Sequence, residues 1–440
     1  MVGSAQGLRS AKKAVPVYAT PPYSTQRGSY QPMARRALVL VEGESNMLRY
    51  VQAAQRLGLH PIALSADPAQ YDYLGAEGIE VIGVDTDNVD ALIGECSRLS
   101  ATYDIAGITS AQESVYATVG KLCRHFDLPG PNPASIERCY DKVTQRQLLG
   151  EASVPIPAHR VAENATAVEN SAAEIGLPVV VKPAVGIGSI GVRLCRSVDE
   201  LAEHTAYLLG GEHVWRSSPR ILVEEFAQGP HYIAEIMGSE VIGITAADFG
   251  PPPHFVFRKL IFPAPLTDDE HDRIADVSKN SLRALGLGWG PTCIELRWTK
   301  RGPVVIEVNP RLAGAPDPQL VQLACGVDLI TEHIKLVIGE EWNLRRRHSH
   351  VAAARKLVAD SDGTLDWISG DSEAAAVSGV AEVKFYVKPK TPIVREGNCR
   401  DSIGYVIAVS PTLAETEAIL HHAADLVGWS ITPFPTALDE

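Results

Sequence analysis

The 440-residue sequence lacks several features that would have assigned it to a class of protein at once. It has no apolar run near the roughly 20 residues that a membrane-spanning helix needs, and Lys182 interrupts the longest candidate. Its seven cysteines include no Cys-x-x-Cys pair, which indicates reduced, mostly buried thiols of a cytoplasmic protein. The formal net charge of −13 argues against a general binder of nucleic acid or anionic membranes.

Acidic residues are absent from residues 1–34, which are rich in Ser, Pro, Tyr and Gly. This stretch also has no hydrophobic segment typical of a secretory signal. The composition favours a disordered N-terminal extension, native or left from cloning, over an organelle transit peptide.

What the chain does contain is typical of an enzyme with two or three domains: 45% hydrophobic and 21% charged residues. From Arg36 to about residue 130, strand and helix patterns alternate, which predicts a small parallel α/β layer. The loop after its first strand, residues 42–46, lacks Gly-x-Gly-x-x-Gly. A dinucleotide site is therefore not expected in this Rossmann-like layer.

Residues 293–311 alternate polar and apolar side chains on both sides of a turn, which predicts a β-hairpin. A turn centred on Arg301 would place Glu295 opposite Glu307, with Asn309 on the same face. Facing carboxylates repel unless a cation lies between them, and this oxygen set suits Mg²⁺ held jointly with phosphates. A solvated hairpin face is the alternative. The residues expected to point into the core are Ile294, Leu296, Trp298, Ile306 and Val308.

Residues 186–191 read as Gly-x-Gly-x-x-Gly, and Lys182 precedes them on a predicted strand. A dinucleotide-binding loop requires a helix directly afterwards, yet residues 192–195 read as a strand and the next helix begins at Ser197. The pattern predicts the tip of a hairpin whose backbone amides and lysine suit phosphates. A plain turn and a nicotinamide-dependent oxidoreductase are the alternatives.

Two further sequence features, each taken alone, are weak evidence for a function. Lys142 follows Asp141 on a helix predicted to end at Gly150, where a solvated charge is the default interpretation. Glu224 and Glu225 end a predicted strand, just before Phe226. Carboxylates in that position can accept hydrogen bonds from an adenine amine or ribose hydroxyls, although surface glutamates are the usual case.

Taken in order, these pieces resemble the ATP-grasp superfamily, specifically its carboxylate–amine ligases and their L-amino-acid ligase branch. The resemblance covers about residues 36–340 and, more weakly, the C-terminal part. It implies an α/β and α+β fold with an N-terminal Rossmann-like domain at 35–132, an ATP-grasp domain at 133–345 and a strand-rich C-terminal lobe at 346–440. The glycine-loop subdomain would span about 151–225.

The resemblance also implies a role for each candidate site residue. Arg311 would stabilise the acyl phosphate and the tetrahedral intermediate, and Glu235 would lie near the ribose. The residues implied to contact ATP are Lys142, Lys182, Gly186, Gly188, Ser189, Gly191, Glu224, Glu225 and Phe226, and those implied to hold Mg²⁺, for which Mn²⁺ could substitute, are Glu295, Glu307 and Asn309.

The implied reaction is ATP-dependent ligation of a small carboxylate or amino acid to an amine, through an acyl phosphate, with a homodimer common in the family. Residues 250–266, rich in proline, are a candidate lid. Arg258 and Lys259 stand where related ligases often carry a Glu and a His, so we expect Arg258 or Lys259 to pair with an extra anionic group of a substrate. A lid charge that faces solvent is the alternative. Two competing interpretations are an ATP-grasp enzyme that activates bicarbonate or a nucleotide precursor, and a catalytically inactive nucleotide-binding protein.

Overall fold

The structure is a computed structural model that describes residues 34–43, 46–71, 78–210 and 220–435. The predicted N-terminal extension lies outside these ranges, apart from its last residue. Within them, no helix is both long enough and apolar enough to cross a bilayer. The predicted domain boundaries stay predictions, and the sheets described below show how the chain is arranged.

The first layer is a four-stranded parallel sheet in the order β3-β2-β1-β4, which confirms the predicted α/β layer. The Ala-Leu-Val-Leu-Val run of β1 is fully buried, as expected for a central parallel strand covered on both faces. The elements of this layer are β1 (Arg35–Val41), α1 (Met47–Arg56), β2 (His60–Ser65), β3 (Glu80–Gly83), α2 (Val89–Ser100), β4 (Tyr103–Thr109) and α3 (Tyr116–His125).

Two helices, α4 (Pro133–Tyr140) and α5 (Lys142–Glu151), replace the single helix predicted up to Gly150. Asp141 separates them because its backbone is extended and its carboxylate accepts hydrogen bonds from the amides of Val143 and Thr144. An N-cap therefore interrupts what reads as one helix, and it places Lys142 at the first position of α5.

The next part is a four-stranded sheet in the order β5-β8-β6-β7. Strands β6 and β7 pair antiparallel, with Val179 opposite Cys195, so the glycine-rich loop is the tip of a hairpin, as predicted. The elements are β5 (His159–Ala162), α6 (Ala165–Ile175), β6 (Val179–Pro183), β7 (Arg193–Cys195), α7 (Val198–Gly210) and β8 (Ile221–Glu225).

An eight-stranded sheet in the order β13-β12-β9-β10-β11-β14-β18-β16 forms the centre of the remaining chain. The sheet combines strands from both sides of the domain boundary predicted between residues 345 and 346, because β11 pairs with β14. A further three-stranded sheet, in the order β17-β15-β19, lies in the C-terminal part. The strands are β9 (His231–Met237), β10 (Glu240–Phe249), β11 (Phe257–Phe262), β12 (Pro291–Thr299), β13 (Gly302–Asn309), β14 (Val351–Val358), β15 (Gly363–Ser369), β16 (Val380–Phe385), β17 (Pro392–Ile393), β18 (Ser402–Ser410) and β19 (Gly428–Thr432).

Helices in this part follow the same capping rules. A capping box formed by Thr267 and Glu270 begins α8 (Asp268–Leu285). The other helices are α9 (Asp317–Cys325), α10 (Leu329–Val337), α11 (Asp371–Ala375) and α12 (Leu413–Leu426). The lid predicted at residues 250–266 is only partly a loop, because β11 pairs with β10 on one side and β14 on the other.

The hairpin β12–β13 confirms the predicted pairing of Glu295 with Glu307, but by a different route. Its turn is tighter than expected, with Thr299 opposite Gly302, and a β-bulge after Glu295 restores the register. The bulge leaves Ile306 without a partner, and Val305 takes its place in the core. Ile306 therefore lines a cavity, and its predicted core position is wrong.

Candidate active site

A cavity of about 350 Å³ is lined by the glycine-loop hairpin, the end of β8 and one face of the eight-stranded sheet. The loop after β4, residues 111–113, also reaches it. Most of the residues selected from the sequence line this cavity together. They are Lys142, Lys182, Gly186, Gly188, Ser189, Glu224, Glu225, Phe226, Glu295, Glu307, Asn309 and Arg311.

Lys142 connects the two sides of the cavity. Its Nζ donates to the Gly186 carbonyl oxygen at 2.6 Å and lies 2.8 Å from Glu307 Oε1. The side chain is buried, so the default interpretation of a solvated helix charge is wrong. The ammonium is held where it can neutralise both a strand carboxylate and an anion bound below the glycine loop.

Glu224 forms a buried ionic cluster with two cations. Its carboxylate oxygens lie 2.5 Å from Arg146 Nε and 2.5 Å from Lys182 Nζ. Burial alone would raise the pKa of Glu224, but the charges of Arg146 and Lys182 lower it to about 2. Because both carboxylate oxygens are engaged, Glu224 orients Lys182, whereas the sequence suggested direct contact with adenine.

Arg146 was missed from the sequence because an arginine within a helical Gln-Arg-Gln run carries no signal of burial. Glu225, the next residue after Glu224, is partly exposed and pairs with Arg301 at 2.8 Å. The two adjacent glutamates therefore differ sharply in environment, which no local sequence pattern distinguishes.

The facing carboxylates of the hairpin are the strongest candidate metal ligands. Glu295 Oε2 lies 3.3 Å from His231 Nε2. Burial alone would raise the pKa of Glu295, but its interaction with the nearby His231 lowers it. Glu295, Glu307 and Asn309 present only hard oxygen ligands to the cavity, and Mg²⁺ typically takes one or two protein carboxylates and completes its shell with water and phosphate. This donor set fits Mg²⁺.

Arg311 forms its closest ion pair with a residue that the sequence analysis did not select. Its Nε donates to Glu113 Oε2 at 2.8 Å, and its Nη1 donates to the Leu312 carbonyl oxygen at 3.1 Å. Burial raises the pKa of Glu113, against the opposing charge of Arg311. The sequence did contain a signal for Glu113, because this residue follows β4 at the carboxyl edge of a parallel sheet, where ligand-binding residues are often found.

Three selected residues do not line the cavity in the described chain: Gly191, Glu235 and Arg258. Glu235 on β9 is the cross-strand partner of Cys293 on β12, and it is fully buried. Burial and neighbouring Asp317 raise its pKa well above the ordinary value, and its position outside the cavity lining does not support the predicted contact with a ribose. Gly191 instead accepts a hydrogen bond from His204 at 3.0 Å through its carbonyl oxygen.

Arg258 follows Phe257 on β11, where a register shift interrupts the pairing with β10. Phe257 lines the cavity, whereas Arg258 is exposed and lines a separate depression with Arg355 and Asp425. The predicted contact between Arg258 and a substrate is therefore not supported by its position. Lys259 likewise pairs with Glu417 at 2.8 Å.

The tip of the glycine loop contacts the C-terminal lobe. The amide of Cys399 donates to the Gly188 carbonyl oxygen at 3.0 Å, and a Cβ on Gly188 would collide with the Cys399 sulfur. Gly188 also has a φ of +63°, which an L-residue rarely adopts. Glycine is required here by both conformation and space.

Gly188→Ala is therefore expected to lower the free energy of unfolding by about 1–3 kcal/mol, the usual range for a side chain forced into this backbone region. Gly186→Ala is the matched control, because its Cβ would meet Pro183 only at 3.5 Å. Urea denaturation of the two variants measures the difference. Equal stabilities for both would contradict the close contact between the loop and Cys399.

Comparison with known families reports two matches along the chain. Residues 141–345 match the model "Carbamoyl-phosphate synthase L chain, ATP binding domain", and residues 355–432 match "L-amino acid ligase C-terminal domain 2". The first match contains the glycine loop, the Glu224 cluster and the facing glutamates, in the arrangement described above. The chain belongs to the ATP-grasp carboxylate–amine ligases.

Individual relatives of this ligase support the assignment to different extents. It is 63% identical over 407 residues to the uncharacterized protein y4rH of Sinorhizobium fredii, covering 92% of this chain and 85% of that protein. It is 27% identical over 238 residues to human carnosine synthase 1, covering 50% of this chain but only 29% of that protein.

A solved structure with the same fold is the L-amino acid ligase from Bacillus licheniformis, with a TM-score of 0.76. Sequence identity is 19%, and the match covers 91% of this ligase and 99% of that chain. The predicted mixed α/β ATP-grasp fold is thereby confirmed.

Proposed function

We propose that this ligase joins the carboxylate of an amino acid or small acid to an amine, through an acyl phosphate, and releases ADP and phosphate. The observation that carries the proposal is the single cavity in which Glu295, Glu307 and Arg311 meet the glycine loop and Lys142. It combines ligands for a metal–phosphate complex with a guanidinium for a developing oxyanion.

The nucleotide end of this cavity is built to receive anions. Lys142 and Lys182 are both buried and both held by carboxylates, so their ammonium groups are fixed before ATP binds. ATP-grasp ligases use ATP with Mg²⁺. Glu295, Glu307 and Asn309 would hold that ion, and Mn²⁺, which accepts the same oxygen ligands, would substitute.

The chemistry requires a carboxylate to become an electrophile. When bound, Mg²⁺ supplies positive charge to the phosphate oxygens. The guanidinium of Arg311 can hold the reacting carboxylate beside the γ-phosphate, and it can then stabilise the oxyanion that forms when the amine attacks. The apolar and aromatic lining at Phe226, Phe249 and Phe255 limits access of water to the acyl phosphate.

The oxidoreductase alternative is disfavoured by the hairpin, because β7 follows the glycine loop where a dinucleotide site needs a helix N-terminus. A homodimer and a cytoplasmic location stay predictions. Small-molecule substrates are what related ATP-grasp enzymes use, and no described feature assigns a particular pair.

The test is phosphate release from Mg-ATP against a grid of amino acids, small carboxylates and bicarbonate, each paired with amines, with mass detection of products. Phosphate release that depends on both substrates, together with a dehydrated adduct, would establish ligation. Phosphate release that needs bicarbonate alone would assign the chain to another ATP-grasp reaction. A protein that neither binds ATP nor releases phosphate would refute the proposal.

A further inference from the structure

Lys356 on β14 is a cation at the cavity that neither the sequence analysis nor the reaction above uses. Its Nζ donates to the Ala315 carbonyl oxygen at 2.8 Å and to Tyr386 Oη at 3.3 Å. The rings of Tyr386 and Tyr405 lie 5.5 and 5.6 Å from the ammonium. These contacts fix its position but bring no negative charge.

The other lysines and Arg311 at this cavity each have a carboxylate partner. Lys142 pairs with Glu307, Lys182 with Glu224 and Arg311 with Glu113, at 2.5–2.8 Å. Lys356 has no such partner within 4 Å among the residues described. Arg297 also has none, but three phenylalanine rings cover it within 5.6 Å and the Gly229 carbonyl oxygen accepts its hydrogen bond.

The surroundings of Lys356 favour an added anion. The carboxylate whose charge acts on Lys356 is that of Asp317, whose Oδ1 accepts a hydrogen bond from Thr245 at 2.7 Å. Burial raises the pKa of Asp317 to about 6, so its carboxylate is mostly ionised at neutral pH, but it forms no ion pair within 4 Å of Lys356 among the residues described. Burial also lowers the pKa of Lys356 to about 8, which leaves the ammonium mostly charged at neutral pH but poorly solvated.

Lys356 lines the cavity and contacts the Ala315 carbonyl oxygen, and Asp317, Cys399 and Ser402 line the same cavity. The lysines at the nucleotide end come from α5 and β6, and Lys356 comes from the C-terminal lobe. A carboxylate bound by Lys356 would therefore be a second one, apart from the carboxylate that Arg311 and the phosphates engage.

We infer that Lys356 binds a substrate carboxylate that is not the one activated by ATP. This inference rests on the proposed ligase function and narrows its substrate class. Either the amine is itself an amino acid whose own carboxylate is bound, or the acid carries a second carboxylate. It also relocates the anion-binding role expected of Arg258 to a residue that faces the cavity.

Calorimetric titration tests the inference without requiring turnover. Wild type, K356M, K356R and K384M, each saturated with Mg²⁺ and a non-hydrolysable ATP analogue, are titrated with amino acids and their amides and with mono- and dicarboxylic acids. We expect a carboxylate-bearing compound to bind wild type about 10- to 100-fold more tightly than its uncharged counterpart, the usual effect of a charge-assisted hydrogen bond. Comparison of each amino acid with its amide tests for a carboxylate on the amine substrate. Comparison of monocarboxylic with dicarboxylic acids tests for a second carboxylate on the acid substrate.

K356M should lose this preference, K356R should keep most of it, and K384M should keep all of it, since Lys384 does not line the cavity. Thermal melting first verifies that each variant is folded. The inference is overturned if wild type does not prefer the carboxylate-bearing compound, or if K356M keeps that preference unchanged. Loss of ATP-analogue binding in K356M would also overturn it and would assign Lys356 to the phosphates. R258A that loses the preference while K356M keeps it would restore the role to Arg258. Ligation itself is judged separately, by phosphate release.

Discussion

Glu307→Gln is expected to reduce kcat about a thousandfold or more while the protein stays folded. Glu307 faces Glu295 across the hairpin and lies 2.8 Å from Lys142 Nζ. The amide removes one of two charged metal ligands and leaves Lys142 without its partner. Loss of about 4 kcal/mol of transition-state stabilisation corresponds to that factor, and metal-centred sites commonly supply several kcal/mol. Steady-state phosphate release at varied Mg²⁺ concentration measures it.

Glu240→Gln is the matched control for this variant. Glu240 is an exposed carboxylate of the same sheet, and it does not line the cavity. Its variant should retain wild-type kcat. Thermal melting verifies that Glu307→Gln is folded at the assay temperature, because relief of repulsion from Glu295 opposes the loss of the buried pairing with Lys142. Wild-type kcat and Mg²⁺ dependence in Glu307→Gln would eliminate the hairpin as the metal site.

Glu224→Gln is expected to destabilise the protein by about 3–5 kcal/mol and to weaken ATP binding. The substitution leaves Arg146 and Lys182 as buried cations without their shared anion, which is the costly way to break a buried ion pair. Urea denaturation gives the first quantity, and calorimetry with an ATP analogue gives the second.

Glu225→Gln provides the comparison one residue away. Glu225 and its partner Arg301 are 38% and 60% exposed, so solvent screens their interaction and the expected loss is about 0–1 kcal/mol. If both variants lower the free energy of unfolding by similar amounts, the buried cluster contributes no more to stability than the exposed pair does.

Acid should remove the contribution of Glu224 in a predictable direction. The folded-state pKa of Glu224 is about 2, below its ordinary value of 4.5. The unfolded chain therefore takes up the proton first, and about 3 kcal/mol of stability present above pH 5 is lost as pH falls toward 2. The stability difference between wild type and Glu224→Gln should shrink over the same window. A constant difference would contradict the lowered pKa.

Much of the candidate site could be predicted because its geometry is local. Two-residue periodicity about a turn centred on Arg301 predicted Glu295 opposite Glu307, and the pairing holds because the bulge compensates for the tighter turn. The strand pattern after the glycine loop correctly counted against a dinucleotide-binding loop. The same periodicity failed at Ile306, because a bulge shifts the register without a signature in the sequence.

The sequence by itself determined the order of the lysines proposed to bind phosphate, the glycine loop and the facing glutamates, since each depends on neighbours a few residues apart. Only the tertiary structure decided which charges meet. Glu113 lies 198 residues from Arg311, and Arg146 lies 78 residues from Glu224. Packing of the sheets places Lys356, but not Arg258, in the lining of the cavity. Burial and pairing of charges depend on that packing, which local patterns do not encode.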